Sequence, residues 1–208
     1  MDDPLLHPGW PARLTAGPVR LEPLRRGDAG AWVQLRLDNE EWLTPWEPSA
    51  PLPWQQRHTP TAFRAMRRAG FRRARAGLSL PFAVRVDGRL AGQVTVDNVV
   101  RGALRSGHLG YWVDRAASGR GLATLAVALV CDHAFGPAGL HRLQADIRPE
   151  NLRSQRLVER LGFRQEGLLR RYLDIDGDWR DHLSYALLAE DVPGGVVARW
   201  QARAAGSL

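Results

Sequence analysis

The chain has 208 residues, 44% hydrophobic and 25% charged, which suffices for one large domain around a hydrophobic core. A single cysteine, Cys131, excludes an intramolecular disulfide framework and a cysteine-built zinc site. The net charge of +7 and a pI near 10.9 favour anionic partners: nucleic acid, an anionic membrane or a phosphorylated cofactor, beside the plain reading of an arginine-rich composition. The start, Met1-Asp2-Asp3-Pro4, lacks the basic-then-apolar order of a signal peptide, and the apolar run Leu122 to Cys131 falls short of the ~20 residues a membrane span needs. The expectation is a cytoplasmic globular protein.

Val19 to Leu24 alternates in polarity and predicts a strand. Arg26 to Glu41 predicts a helix with Asp28 as its cap, and the proline- and tryptophan-bearing Leu43 to Trp54 a structured loop. Gln55 to Gly77 predicts a second helix, with Phe63, Met66 and Phe71 on one face. The period then changes. Pro81 to Val86 and Arg89 to Val96 read as a hairpin about Asp87-Gly88, a pair suited to a type I′ turn. His108 to Val113 is a strand, Leu122 to Phe135 a helix, Arg142 to Ile147 a strand, and Asn151 to Leu161 a helix stopped by Gly162. Phe163 to Ile175 and Trp179 to Leu187 make two long strands around Asp176-Gly177-Asp178, and Val196 to Ala204 a short amphipathic helix. This order describes a mixed sheet with helices on both faces, an α/β or α+β fold. With no repeat or low-complexity linker, residues 1–208 read as a single domain with a core at about 19–188.

Two segments carry chemistry. In the first, the strand Gly110-Tyr111-Trp112-Val113 runs into Ser118-Gly119-Arg120-Gly121-Leu122-Ala123-Thr124, a glycine-bearing loop that opens a helix. Glycines let a ligand approach the backbone, and the free N–H groups of a helix start attract phosphate, each anion gaining about 0.3–2 kcal/mol. Arg120 adds a planar fork that matches phosphate oxygens. An ordinary β-to-α turn has the same spacing. No Gly-Lys-Ser/Thr follows, which excludes a P-loop, and no full dinucleotide fingerprint is present. In the second segment, Asp146-Ile147-Arg148-Pro149-Glu150-Asn151 leads to Ser154 and then to Leu161-Gly162-Phe163. Asn151 can cap its helix with Ser154 one turn on, which by itself is only a capped helix.

Together these motifs resemble the GNAT superfamily of N-acetyltransferases over roughly Val19 to Leu188. That resemblance implies a mixed, mostly antiparallel sheet of about seven strands. Gly121 and Ala123 match the last two fixed positions of the family's coenzyme A pyrophosphate loop, whereas Ser118 stands where Gln or Arg is usual. Trp42-Leu43-Thr44-Pro45-Trp46, Arg148-Pro149-Glu150-Asn151, Phe163 to Gly167 and Tyr172 to His182 resemble the RimJ/RimL type, the ribosomal-protein N-terminal acetyltransferases.

The resemblance implies acetyl-CoA as acyl donor, no metal, and direct transfer to an amine. The cofactor-binding set it implies is Trp112, Val113, Ser118, Gly119, Arg120, Gly121, Leu122, Ala123, Thr124 and Asn151. Ser154 is implied as proton donor to the thiolate, Val158 standing where some members carry a tyrosine for that task. Asp146 and Glu166 are the two candidates for the base, each with an ordinary solvated or ion-paired acid as the alternative. Trp46, Trp54, Tyr172 and Trp179 lie in regions that flank the family's acceptor groove, where aromatics either hold a peptide or plug the sheet ends. His141 and His182 read as structural or solvent-facing.

The acceptor implied is a protein N-terminus, such as that of a ribosomal protein. Its α-amine, with a pKa of about 7.7–8.0, needs far less help from a base than a lysine near 10.4. The alternatives are acetylation of a small amine such as an aminoglycoside or polyamine, and a non-catalytic acyl-CoA-binding module. The resemblance allows a homodimer. No RNA-contact signature is found, so neither direct nucleic-acid binding nor a membrane partner is expected.

Overall fold

Strand β6 (Arg142–Ile147) buries every second side chain, β3 (Leu80–Val86) and β8 (Asp178–Leu188) each bury runs of four, and Asp-Gly pairs turn two of the hairpins. The computed structural model describes residues 8–205. Strands β1 (Leu14–Ala16) and β2 (Val19–Glu22) precede helices α1 (Ala29–Asp38), α2 (Glu40–Leu43), α3 (Trp54–Arg57) and α4 (Pro60–Arg75). Strands β3 (Leu80–Val86), β4 (Arg89–Val100) and β5 (Ser106–Val113) follow, then α5 (Leu122–Phe135), β6 (Arg142–Ile147) and α6 (Leu152–Leu161). The long hairpin β7 (Arg164–Ile175) and β8 (Asp178–Leu188) and helix α7 (Val196–Ala205) complete the described chain.

The eight strands form one sheet in the order β1-β2-β3-β4-β5-β6-β8-β7. Every neighbouring pair is antiparallel except β5 and β6, which run parallel. Asp87 (φ 48°) and Gly88 (φ 82°), and again Asp176 (φ 52°) and Gly177 (φ 79°), hold the paired left-handed conformations of tight hairpin turns.

Helix α5 buries ten of its 14 residues, which accounts for its uniform apolarity. Helix α6 is one-sided and buries Leu157, Val158 and Leu161, worth about 1.5–3 kcal/mol each. These helices share a core with one face of the sheet. A smaller cluster, Leu24, Trp32, Phe63, Ala83 and Leu90, holds α1 and α4 against β3 and β4 on the other face.

The expected mixed fold with helices on both faces is present, with one strand more than the seven expected, because Leu14–Ala16 adds an edge strand. Tertiary bonds moved several boundaries. The first helix breaks at Asn39, whose Nδ2 binds Leu35 O at 2.9 Å and Asp114 Oδ1 at 3.0 Å. Asp28 does not cap it: the buried carboxylate instead accepts from Arg85 Nη2 at 2.7 and 2.9 Å. Glu22 accepts from Arg85 Nε at 2.5 Å in the same buried cluster. The second helix breaks at His58, and Thr59 caps the longer piece by accepting from Ala62 N at 3.2 Å. The Leu43 to Trp54 loop carries a 3₁₀ turn at Thr44–Trp46 and ends by entering α3. Strand β4 runs on to Val100. The acidic start, Met1-Asp2-Asp3-Pro4, lies outside the described residues.

Candidate active site

Strands β5 and β6 pair only through Ser106–Arg142, Gly107–Leu143 and His108–Gln144. Beyond that point Leu109 to Val113 pairs with β4 alone, and Ala145 to Ile147 with β8 alone. The two parallel strands therefore fork, and the peptide groups on their inner edges face the gap. Gly92 of β4 helps set this spacing: a Cβ there would stand 2.2 Å from Trp112 O.

The wide end of the fork meets the glycine loop. Asn39 fixes the loop's start, bonding Asp114 Oδ1 and, through its Oδ1, Arg115 N at 2.9 Å. Trp42 Nε1 donates to Val113 O at 3.2 Å. Gly119 (φ 79°) and Gly121 (φ 73°) both take left-handed conformations. No side chain caps α5 after Gly121, so the N–H groups of Leu122, Ala123 and Thr124 point into the loop. A Cβ on Gly121 would come 3.2 Å from the Trp200 ring, so α7 closes the loop from behind. Asp132 ties α7 down by accepting from Val196 N at 2.5 Å and Val197 N at 3.1 Å. Residues 115–124 carry Arg115 and Arg120 and no acid. A backbone cradle with two cations, beside which the Asp114 carboxylate is turned to Asn39 and to Ala116 N, suits a diphosphate.

On the helix side of the fork, Asn151 Oδ1 accepts from Ser154 N at 3.2 Å. Tyr111 OH donates to Ser154 O at 3.3 Å and thereby seats α6 on β5. Burial drives the Tyr111 phenol's pKa upward, so this group stays neutral. Ser154 itself is half-buried.

The opposite face carries a polar cluster. Asp146 accepts from Gln144 Nε2 at 3.0 and 3.2 Å and from the hydroxyl of Ser184, and His108 Nδ1 lies 3.4 Å away. Burial alone would raise its pKa, but His108, Gln144 and Ser184 outweigh that and hold it below the usual carboxylate range. Tyr172 bonds Asp146 and packs edge-on against His182, with centroids 5.7 Å apart. Burial, followed by Asp146, raises the Tyr172 phenol's pKa. Glu166 pairs through both carboxylate oxygens with Arg142, which lowers its pKa.

At the end of this face the Leu43 to Trp54 loop docks on the β7–β8 turn. Pro48 bridges Ile175, Ser49 N and Oγ bond Asp174 at 2.9 and 2.5 Å, and Ser49 Oγ accepts from Gly177 N at 2.7 Å. A shallow cavity of about 190 Å³ lies between them, lined by residues including Thr44, Leu52 and Asp176. Trp179 is exposed there, and Arg148 spans the gap by donating to Pro45 O at 2.7 Å and lying over Trp46.

The structure thus brings Ser118 to Thr124, Asn151 and Ser154 to the fork, and Asp146, Glu166 and Tyr172 to one face beside it. Trp112 offers its backbone only, since its indole is held under Arg36 at 4.8 Å. Trp54 belongs to no groove: it is buried, donates to Arg36 O at 2.8 Å and packs on His58. Sequence reasoning did not single out His108, Gln144 and Ser184 on the open polar face or Asn39 behind the loop, and it met Trp42 only within the stretch Trp42 to Trp46. Strand alternation places His108 on the Gly110 and Trp112 side, the one signal that could have found it. The larger cavity, about 620 Å³ around Glu22, Arg25 and Arg67, lies at the β1–β2 edge, away from the fork.

Comparison with known proteins agrees with this geometry. The family model described as "Acetyltransferase (GNAT) domain" matches residues 19–164. The chain is 32% identical to the "[Ribosomal protein uS5]-alanine N-acetyltransferase" of Escherichia coli (strain K12) over 190 residues, 88% of this chain and 94% of that protein. It is 44% identical to "Probable N-acetyltransferase YjcK" of Bacillus subtilis (strain 168) over 105 residues, 50% of this chain and 58% of that one, so the match spans under two thirds of that relative. Mycobacterium smegmatis RimJ, solved in complex with CoA-disulfide, superposes with a TM-score of 0.93 at 43% identity, covering 96% of this chain and 98% of that one. A strand fork, a glycine cradle at a helix start and a family match over most of the sheet place the chain among the GNAT acetyltransferases.

Proposed function

We propose that the protein acetylates the N-terminal α-amine of a protein, such as a ribosomal protein, using acetyl-CoA as donor. The observation that carries this reading is the open polar face beside the fork, walled by the Leu43 to Trp54 loop and the β7–β8 hairpin. Likeness to the uS5-alanine N-acetyltransferase over nearly its full length supports it. An extended N-terminal segment fits a groove entered past Trp46, Tyr172 and Trp179, and exposed Asp176 and Asp178 suit a basic peptide.

When bound, acetyl-CoA supplies an activated thioester, and the chain's residues do the rest. Ser118 to Thr124 receive the diphosphate on their N–H groups, with Arg120 as counter-charge. Asn151, which caps the start of α6, would help hold the pantetheine arm, and the peptide N–H groups left free along Leu109 to Val113 would stabilise charge developing on an acyl oxygen. The amine's lone pair forms the N–C bond, the C–S bond breaks, and Ser154 Oγ–H protonates the departing sulfur. Asp146 and Glu166 line the face by which the amine enters.

Mass spectrometry of ribosomal-protein N-terminal peptides incubated with the protein and acetyl-CoA tests the reading. Acetylated α-amines are expected. Acetylation of a small polyamine or aminoglycoside with no peptide modified overturns it.

A further inference from the structure

We propose that His108 is the catalytic base, taking the proton from the incoming amine through Nε2, with Asp146 as its orienting partner. The inference rests on the open face being the acceptor side. His108 is the last β5 residue still paired with β6, so its ring stands at the apex of the fork. Strand alternation puts it on the face opposite Tyr111, and therefore opposite the side on which α6 carries Ser154. The side chain is 39% exposed, open to an arriving amine, while that of Asp146 behind it is 7% exposed.

The chemistry of the pair assigns the ring nitrogens. An ionised carboxylate only accepts, so with Asp146 Oδ2 3.4 Å from Nδ1 the ring keeps its proton on Nδ1. The lone pair then sits on Nε2, on the exposed side. Among the described residues no protein group bonds Nε2. This is the division of labour of a carboxylate–histidine pair in acyl transfer, in which the carboxylate orients and the imidazole moves the proton.

The two carboxylates on this face are worse bases. Asp146 is buried and already accepts from Gln144, Ser184 and Tyr172, bonds that favour its ionised form and weaken its hold on a proton. Glu166 is held by Arg142. The other groups around His108 leave its task intact: Asp97, opposite on β4, is tied to Arg73 at 2.7 Å. His182, beyond Asp146, is kept neutral by burial, and Tyr172 also stays neutral.

The proton balance closes. His108 Nε2 accepts one proton from the ammonium and passes it to solvent across the open face. The nitrogen then forms its bond to the acyl carbon as the C–S bond breaks. Ser154 protonates the sulfur on the other face, and the amine's second proton replaces the one Ser154 gave.

The test uses the full chain with whichever amine it acetylates, peptide or small molecule, so that failure of the peptide reading does not decide this one. His108→Gln can still donate to Asp146 but cannot take a proton, and His108→Ala removes both functions. Near neutral pH each should lose roughly 10²–10⁴-fold in kcat, with CoA affinity by calorimetry unchanged. For a peptide the loss should shrink as pH passes the α-amine's pKa of about 8, because the substrate then arrives neutral. Added imidazole should restore part of the activity of His108→Ala. Asp146→Asn should lower kcat without imidazole rescue. Independently of turnover, ¹⁵N NMR of histidine-labelled protein should find His108 as the Nδ1–H tautomer, and Asp146→Asn should lose that preference. Near-normal kcat in His108→Gln, a deficit equal at every pH and unmoved by imidazole, or an Nε2–H tautomer each overturns the proposal.

Discussion

The two sides proposed for the fork, one for the cofactor and one for the acceptor, are built in different ways. The cofactor side is mostly backbone: two left-handed glycines, the uncapped start of α5 and the diverging edges of β5 and β6. The acceptor side is mostly side chains: His108, Gln144, Asp146, Tyr172, His182 and Ser184, drawn from four strands, with the Leu43 to Trp54 loop bonded to the β7–β8 turn 125 residues on through Ser49 and Asp174. Backbone sites tolerate changes of side chain but not of glycine or helix start. Side-chain sites keep their fold through many substitutions while their chemistry and specificity shift.

Ser154→Ala shares the largest expected effect with the His108 variants, because it removes chemistry from the α6 side and leaves the backbone cradle whole. Its kcat should fall roughly 10²–10⁴-fold with CoA binding little changed. A near-normal kcat would leave Ser154 as a residue of the capped first turn.

Helix α1 is anchored by Arg36, buried between Trp54 and Trp112 and paired with Glu47 at 2.8 Å. Arg36→Leu leaves Glu47 and His58 without this partner and should destabilise the fold by about 3 kcal/mol, read by denaturant unfolding. His58 adds a pH dependence. Burial first, then the neighbouring Arg36 charge, lowers its pKa to about 4, so the folded protein resists protonating it while the unfolded chain does not. Stability should therefore fall as pH drops from about 6.5 towards 4, by at most about 3 kcal/mol from this group. His58→Gln keeps an acceptor for Arg36 Nε and should flatten that slope. An unchanged slope would place the acid sensitivity elsewhere, with Glu22 next in line. Burial would raise the Glu22 pKa, but Arg85 and Arg25 hold it low, so its contribution is lost only at more acidic pH.

Arg120→Glu sharpens the contrast on the cofactor side. It replaces an exposed counter-charge with repulsion and should weaken CoA binding about 10- to 100-fold by calorimetry, with the fold intact. Unchanged affinity would show that backbone alone carries the diphosphate. The smallest effect belongs to the acceptor rim. Replacing Asp176 and Asp178 with Asn should raise KM for basic peptides a few-fold (roughly 2- to 5-fold) more than for neutral ones, and added salt should mimic the change. Asp174 is left out because it already bonds Ser49, and since Asp178 is paired with Arg180 at 3.2 Å, Asp176 should carry the larger share of the effect. Equal KM changes for all peptides would reduce these acids to shaping the turn.

The sequence by itself determined what contiguous residues can encode: the strand–glycine–helix cradle, the Asn151 cap, the Gly162 stop, both Asx-Gly hairpins and the apolar α5. Each of these uses bonds within a few residues, so local order suffices. Only the tertiary structure decided the rest. Asp28 looked like a helix cap until Arg85, 57 residues away, took its carboxylate. Trp54 looked like a groove residue until Arg36 and His58 buried it. Asp146 and Glu166 carried equal weight as isolated acids, and their partners His108, Gln144, Ser184, Tyr172 and Arg142 separate them. The physical reason is the same each time: burial and charge pairing across strands outweigh local preference, and which strands become neighbours is settled by the packing of the whole sheet.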